Sequence, residues 1–261
     1  MKASIERLVF SIIVCSHRQG RAEFIRQHYE ALFRDQTFEF ILIPDAKSLC
    51  EGYTRGLHQS TGRYLIFSHD DIEFVIGGVA PLLRQHLAQY DIVGIAGTTK
   101  LIDGEWISAG DPNCFGLVIY PEGVGQFVVK CFGGGDLSVP NVQALDGCFL
   151  ACRREVAESI GFDAITFDGF HLYDVDFTFG AYLKGFRLAV CRDLALIHAS
   201  MGTNADGAWA EYQKRFEAKY RGRLSDGSRG HVRELRARLP REKLAWFCEP
   251  KELRELIKKL D

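Results

Sequence analysis

The sequence has no long apolar run, no C-x-x-C pair and neither of the two common glycine-rich nucleotide fingerprints. Its longest apolar stretch, Leu8 to Cys15, is interrupted by Ser11 and is far shorter than the roughly 20 residues of a membrane-crossing helix. Glu6 and Arg7 press against that stretch, and Ser16-His17-Arg18 follows it in place of a small-residue cleavage site. It therefore reads as a buried strand, not a signal peptide. The eight cysteines (Cys15, Cys50, Cys114, Cys131, Cys148, Cys152, Cys191 and Cys248) show no disulfide-like spacing. Several lie within apolar runs, where a thiol behaves as a small hydrophobe, and the expected compartment is the reducing cytoplasm. The loop Ser16–Arg21 lacks G-x-G-x-x-G, which argues against NAD or FAD, and the absence of G-x-x-x-x-G-K-[ST] argues against a P-loop kinase or ATPase. The glycine-rich loop and arginine of sugar nucleotidyltransferases are missing there too. There is no internal repeat and no low-complexity segment.

What is present suits one large α/β domain with a helical appendage: 261 residues, 47% of them apolar and 25% charged. The net charge of −2 conceals an asymmetry, because Lys214 to the end carries 15 Lys/Arg against 8 Asp/Glu. Such a region reads as a solvated helical face, as a dimer contact, or as a peripheral contact with an anionic membrane, here at its inner face. No nucleic-acid partner is expected.

Strand-like and helix-like patterns alternate through the first half. Strands are expected at Leu8–Cys15, Phe38–Ile43, Arg63–Phe67 and Asp91–Ala96, with helices at Arg21–Arg34, Ser48–His58 and Val79–Ala88 between them. That order predicts a doubly wound, mainly parallel sheet with helices on both faces. Residues 97–142 are glycine-rich and read as loops and antiparallel strands. A strand at Ala144–Ala151, helices at Arg153–Ile160 and from near Asp174, and strand-like Arg187–Val190 and Leu194–Ile197 follow. From Ala208, Trp209, Tyr212, Phe216 and Tyr220 recur at helical spacing, Asp226–Gly230 signals a linker, and Lys251–Leu260 a short amphipathic helix.

Ligands of open parallel sheets bind at the carboxyl ends of the strands. Here three successive strands end in Ser16-His17-Arg18, Pro44-Asp45-Ala46 and Ser68-His69-Asp70-Asp71, which delivers polar groups to one edge. Adjacent acids repel, and a hard divalent cation such as Mg²⁺ or Mn²⁺ relieves that repulsion while bridging to a diphosphate. His69-Asp70-Asp71 is thus a candidate metal site, although an aspartate before a helix is also a common cap.

Ser48-Leu-Cys-Glu-Gly-Tyr-Thr-Arg-Gly56 followed by Gly62-Arg-Tyr-Leu-Ile-Phe-Ser-His-Asp-Asp-Ile72 resembles family 2 glycosyltransferases of GT-A fold, and more closely the branch named for a streptomycin-biosynthesis protein. Val142–Leu150, Phe170–Phe177 and His198-Ala-Ser-Met-Gly202 agree in order and spacing, so the resemblance covers roughly residues 8–220. It implies a GT-A-like domain over residues 1–222, with a nucleotide-binding half (1–96) and an acceptor-side half (97–222), followed by a helical extension (223–261). It also implies that Ser16, Arg18, Asp45, Ser48 and Asp70 contact a nucleoside diphosphate sugar. Asp70 and Asp71 would hold the Mn²⁺ or Mg²⁺, His198 would be a further ligand, and Asp174 would be the general base. Asp45-Ala-Lys-Ser48 departs from the family's usual Asp-Asp-Gly-Ser, and Tyr173-Asp174 from its usual Glu-Asp. The Q-x-x-R-W motif of processive enzymes is absent, so a single addition is expected.

A lone carboxylate base suits one inverting displacement at the acceptor hydroxyl, whether that belongs to a saccharide or a lipid-linked acceptor. Asp146, His171 and Asp176 are the expected acceptor contacts. Two rival readings are a binding module that has kept the fold without the chemistry and a metal-dependent phosphohydrolase. Turnover separates them, since only a transferase releases nucleoside diphosphate on adding an acceptor.

Overall fold

A computed structural model describes residues 9–200 and 207–261. The expected strand start at Leu8 and the Met201-Gly202 end of the last motif lie outside them. The chain runs β1 (Phe10–Cys15), α1 (Gln19–Phe33), β2 (Phe38–Ile43), α2 (Leu49–Gln59), β3 (Tyr64–Ser68), β4 (Ile72–Phe74) and α3 (Val79–Gln89). It continues with β5 (Ile92–Gly94), β6 (Ala96–Thr98), β7 (Cys114–Pro121), β8 (Gln126–Phe132), β9 (Ser138–Pro140), β10 (Ala144–Leu145) and β11 (Phe149–Arg153). After these come α4 (Arg154–Ile160), α5 (Tyr173–Leu183), β12 (Leu188–Cys191), β13 (Leu196–His198) and α6 (Gly207–Lys219). The last elements are β14 (Glu234–Pro240), α7 (Arg241–Phe247) and α8 (Pro250–Ile257).

The principal sheet has the order β2-β1-β3-β11-β5-β12-β9, in which β11 and β9 run against the other five strands. Alternation along β1 explains its two-sided burial. Phe10, Ile12 and Val14 pack with Ile25, Tyr29 and Phe33 of α1 and with Leu83 and Leu87 of α3. Ile13 faces the other way, with Tyr53 and Leu57 of α2, Val156 of α4 and Phe177 of α5. Helix α2 lies so close to β1 that a methyl group on Gly56 would run into Ile13, and one on Gly52 into Cys15 and Ala46.

A second sheet, β10-β6-β7-β13-β4, is extended by β8 on β7 and β14 on β8. Two expected strands prove to be pairs that pass between the sheets. Asp91–Ala96 breaks at Ile95 into β5 and β6, and Ala144–Ala151 breaks at Asp146-Gly147-Cys148 into β10 and β11. In the C-terminal extension the expected terminal helix is α8, and α7 precedes it; Leu244, Leu253 and Ile257 of these helices, with Cys248 between them, cover Leu117, Ile119, Val129 and Cys131 of the second sheet. It opens, however, with β14, paired to β8 over seven residues. The expected linker 226–230 is irregular but tied down: Gly230 N–H donates to the Ser108 carbonyl, and Arg229 pairs with Asp103 and Glu105.

Among the described residues, five of the fifteen cationic side chains of the C-terminal region, Arg229 included, pair with acids outside it. Lys219 pairs with Asp163 and Asp176, Arg215 with Asp168, Arg238 with Glu122 and Arg241 with Glu73. All eight cysteines are free, and every one but Cys15 is buried. No described helix is long and apolar enough to cross a membrane.

Candidate active site

The carboxyl ends of β1 and β3 open onto a cleft of about 370 Å³ lined by Ser16, Arg18, Arg21, His69, Asp70, Asp71 and Ser200, with Ile43, Ala46, Leu49 and Phe170 as its apolar wall. Sheet register assembles its polar floor. β13 runs antiparallel to β4 with His198 opposite Ile72, so the residues after each strand meet: Ala199 N–H donates to the Asp71 carbonyl and Ser200 N–H to Asp71 Oδ2, at 2.9 and 3.1 Å. On the other flank β11 pairs with β3, and His69 N–H donates to the Cys148 carbonyl, which brings the Asp146-Gly147-Cys148 turn alongside.

His69, Asp71 and His198 converge there, their donor atoms within 4.8 Å of one another. His198 Nε2 is 3.3 Å from Asp71 Oδ1 and 3.4 Å from His69 Nδ1, and His69 Nδ1 is 3.8 Å from Asp71 Oδ1. The other nitrogen of His69 is 2.7 Å from the Tyr173 hydroxyl, which donates to the Gly147 carbonyl at 2.9 Å. Tyr173 thus holds the ring orientation of His69 from behind. Burial and the neighbouring His198 lower the His69 pKa and keep it neutral. Burial alone would raise the Asp71 carboxyl, but its hydrogen bond to His198, the charge there and the Ser200 contact outweigh this and hold it well below the usual carboxylate range. Two imidazoles and one ionised carboxylate on a common centre fit a divalent cation.

Asp70, expected as a ligand beside Asp71, lines the cleft with its Oδ2 accepting from the Ser16 hydroxyl at 2.5 Å, and it is not among the three residues whose donor atoms converge. Arg18 also lines the cleft, and so does Arg21, which the sequence reading did not single out; Arg21 Nη1 is 4.0 Å from Asp71 Oδ2. Its place in the first turn of α1, one helical turn beyond the end of β1, was the available signal.

Two expected nucleotide contacts are engaged elsewhere. Asp45 is exposed and pairs with Arg55 at 2.9 Å, and Arg55 in turn pairs with Glu51 at 2.6 Å. Buried Ser48 is the N-cap of α2: its hydroxyl accepts from Glu51 N–H at 3.0 Å, and the Glu51 carboxylate reaches back to Lys47 N–H. The structure therefore makes Ser48 a helix cap, worth about 1 kcal/mol, and not a cleft residue.

Asp174 opens α5, half-buried against Gly147; a methyl group on that glycine would strike the Asp174 Cβ and the Tyr173 hydroxyl. Burial, and after it the Asp146 carboxylate, push the Asp174 pKa up to about 7, against which the N–H groups of Val175, Asp174 and Gly147 act. Asp146 accepts from Cys148 N–H at 3.0 Å and from Trp106 Nε1 at 3.2 Å. His171 sits against the rings of Trp209 and Tyr212. Asp176, an expected acceptor contact, lies elsewhere. It is 4% exposed and holds Lys219 at 2.7 Å and the Tyr220 hydroxyl at 2.8 Å, clamping α5 to α6. The helical period turns it about 200° from Asp174, and neither is among the residues that line the cleft.

A sequence model of the Glycosyltransferase like family matches residues 11–220. Among solved structures, the chain is similar to the mannosyltransferase PcManGT from Pyrobaculum calidifontis, in complex with GDP-Man and Mn²⁺, at 13% identity and a TM-score of 0.52 over 87% of this chain and 67% of that one. GalNAc-T7 with UDP, GalNAc and Mn²⁺ aligns at 12% identity and a TM-score of 0.49, over 82% of this chain and 48% of its own. No curated protein sequence matches. The likeness to the mannosyltransferase shows the fold, which is GT-A. The match of the family model from β1 to the end of α6, over the same strands that build the cleft, places the chain in the Glycosyltransferase like family.

Proposed function

We propose that this protein moves one sugar from a nucleoside diphosphate sugar to an acceptor hydroxyl with inversion, in the manner of the single-addition branch its motifs resemble. The observation that carries the reading is the convergence of His69, Asp71 and His198 on the floor of a cleft flanked by Arg18 and Arg21. His69, Asp71 and His198 would hold Mn²⁺ or Mg²⁺, which when bound neutralises charge on the departing diphosphate. The mannosyltransferase of the same fold was solved with GDP-Man and Mn²⁺, which accords with this assignment.

The chain's own residues do the rest. Arg18 and Arg21 offer positive charge to phosphate oxygens at the mouth of the cleft, and the wall of Ile43, Ala46, Leu49 and Phe170 accepts the flat face of a base. Ser16 holds Asp70 by its hydroxyl, so that carboxylate is oriented before the donor arrives. Asp174 takes the proton of the attacking hydroxyl. A carboxyl with a pKa near the working pH is both ionised often enough and basic enough for this task. Asp146 and His171, on the same half of the molecule, are the proposed acceptor contacts.

The test is turnover. Purified protein with Mn²⁺, a panel of nucleotide sugars and saccharide or lipid-linked acceptors should release nucleoside diphosphate only when a matching pair is present. Release of inorganic phosphate from simple phosphomonoesters would favour a hydrolase, and donor binding without release under any pairing would favour a binding module.

A further inference from the structure

A second cluster of histidine, cysteine and aspartate side chains lies away from the cleft. α3 packs on the principal sheet over β12, and the chain leaves that strand through Cys191-Arg192-Asp193. Arg192 turns one way, and its guanidinium donates to the carbonyls of Phe132, Gly133, Gly134 and Asp136. Those bonds fix the backbone from which Cys191 and Asp193 project the other way, toward α3. There His86 Nε2 is 2.9 and 3.1 Å from the two carboxylate oxygens of Asp193. The Cys191 sulfur completes a group whose three donor atoms all lie within 4.8 Å of one another. His86 and Cys191 are buried at 4% and 0% exposure, while the Asp193 side chain reaches the surface and gives an ion a way in. The Ser138 hydroxyl also hydrogen-bonds Cys191.

We propose that His86, Cys191 and Asp193 form a Zn²⁺ site, separate from the cleft, that ties α3 to the end of β12. One imidazole nitrogen, one sulfur and one carboxylate are the donors of a borderline ion, whereas Mg²⁺ and Ca²⁺ select oxygen alone. Binding would release two protons to solvent, the Cys191 thiol proton as the metal–sulfur bond forms and the proton on His86 Nε2, now shared with Asp193, as that nitrogen becomes a ligand. The cleft cluster of His69, Asp71 and His198 contains no sulfur, so the two sites give different signals.

Co²⁺ reports that difference through the intense near-ultraviolet charge-transfer band of a metal–thiolate bond. The Asp71→Ala protein, in which the cleft cluster is broken, should bind one Co²⁺ per chain with that band, and Zn²⁺ should displace it. In Asp71→Ala/Cys191→Ser the band should vanish and Zn²⁺ affinity should fall at least tenfold. Asp193→Asn, which keeps a hydrogen bond to His86, should weaken the band without unfolding the chain. Absence of the band from folded Asp71→Ala protein would overturn the proposal and leave His86–Asp193 as a buried ion pair. A band that survives Cys191→Ser would overturn it as well, since the thiolate would then belong elsewhere.

Discussion

Replacing Asp174 by Asn separates chemistry from stability and should move them in opposite directions. The carboxyl is pushed from 3.8 to about 7 by burial and by Asp146. The folded state therefore keeps a proton that the unfolded state loses near pH 4. Between these values folding binds protons, so stability falls as pH rises, and above pH 7 the full cost of the buried charge is carried. A shift of about three units corresponds to about 4 kcal/mol for a wholly buried group. Asp174 is half-buried, so solvent screening leaves about 2 kcal/mol. Asn has the same shape and no charge. Asp174→Asn should therefore melt about 5 °C higher than wild type at pH 8, in EDTA, with the difference shrinking toward zero near pH 4. Transfer to acceptor should fall by roughly 10²–10⁴, the range expected for loss of a general base, while donor affinity is kept. Differential scanning calorimetry across pH and an assay of nucleoside diphosphate release measure the two effects. Near-wild-type transfer would place the base elsewhere, and a lower melting point at pH 8 would refute the buried-charge reasoning.

Asp146→Asn removes a negative neighbour, so the acid limb of the pH dependence of kcat/KM, expected near pH 7, should move to lower pH; an unmoved limb would uncouple the two carboxylates. His198→Ala should weaken Mn²⁺ affinity at least about tenfold, about 1.4 kcal/mol, read by electron paramagnetic resonance of free Mn²⁺, with the melting point in EDTA little changed. If the C-terminal region contacts a membrane, vesicles carrying anionic lipid should retain the protein at low salt, release it as salt rises and lose it on removal of residues 231–261. Absent or salt-insensitive pelleting would leave the region a helical cap or a dimer contact.

The first three strands and their helices are legible in the sequence because each is a local signal: an apolar run, then a helical period, with Ser48 capping α2. The sheet changes at Ile95 and at Asp146–Cys148 are not, since an apolar run looks the same whichever sheet it joins, and that choice is made by partners far along the chain. β14 is hidden for another reason. Its sequence alternates charged and apolar residues on a half-exposed strand beside helical segments, and only pairing with β8 gives it a partner. At the site, the strand ends pointed to the sheet edge where the cleft lies, and the family resemblance pointed to His198, which lies beside Asp71. What neither could show was side-chain direction. The convergence of His69, and not Asp70, with Asp71 and His198, the turn of helix between Asp174 and Asp176 and the pairing of Asp45 with Arg55 all depend on tertiary placement.

The central claim is that a cation on His69, Asp71 and His198 holds the donor's diphosphate. Calorimetric titration of the wild-type protein with nucleoside diphosphates tests it directly. Affinity for the preferred nucleotide should be at least tenfold higher in Mn²⁺ than in EDTA, about 1.4 kcal/mol, and Asp71→Ala should bind in Mn²⁺ no better than wild type does in EDTA. Equal affinity in Mn²⁺ and EDTA would contradict it.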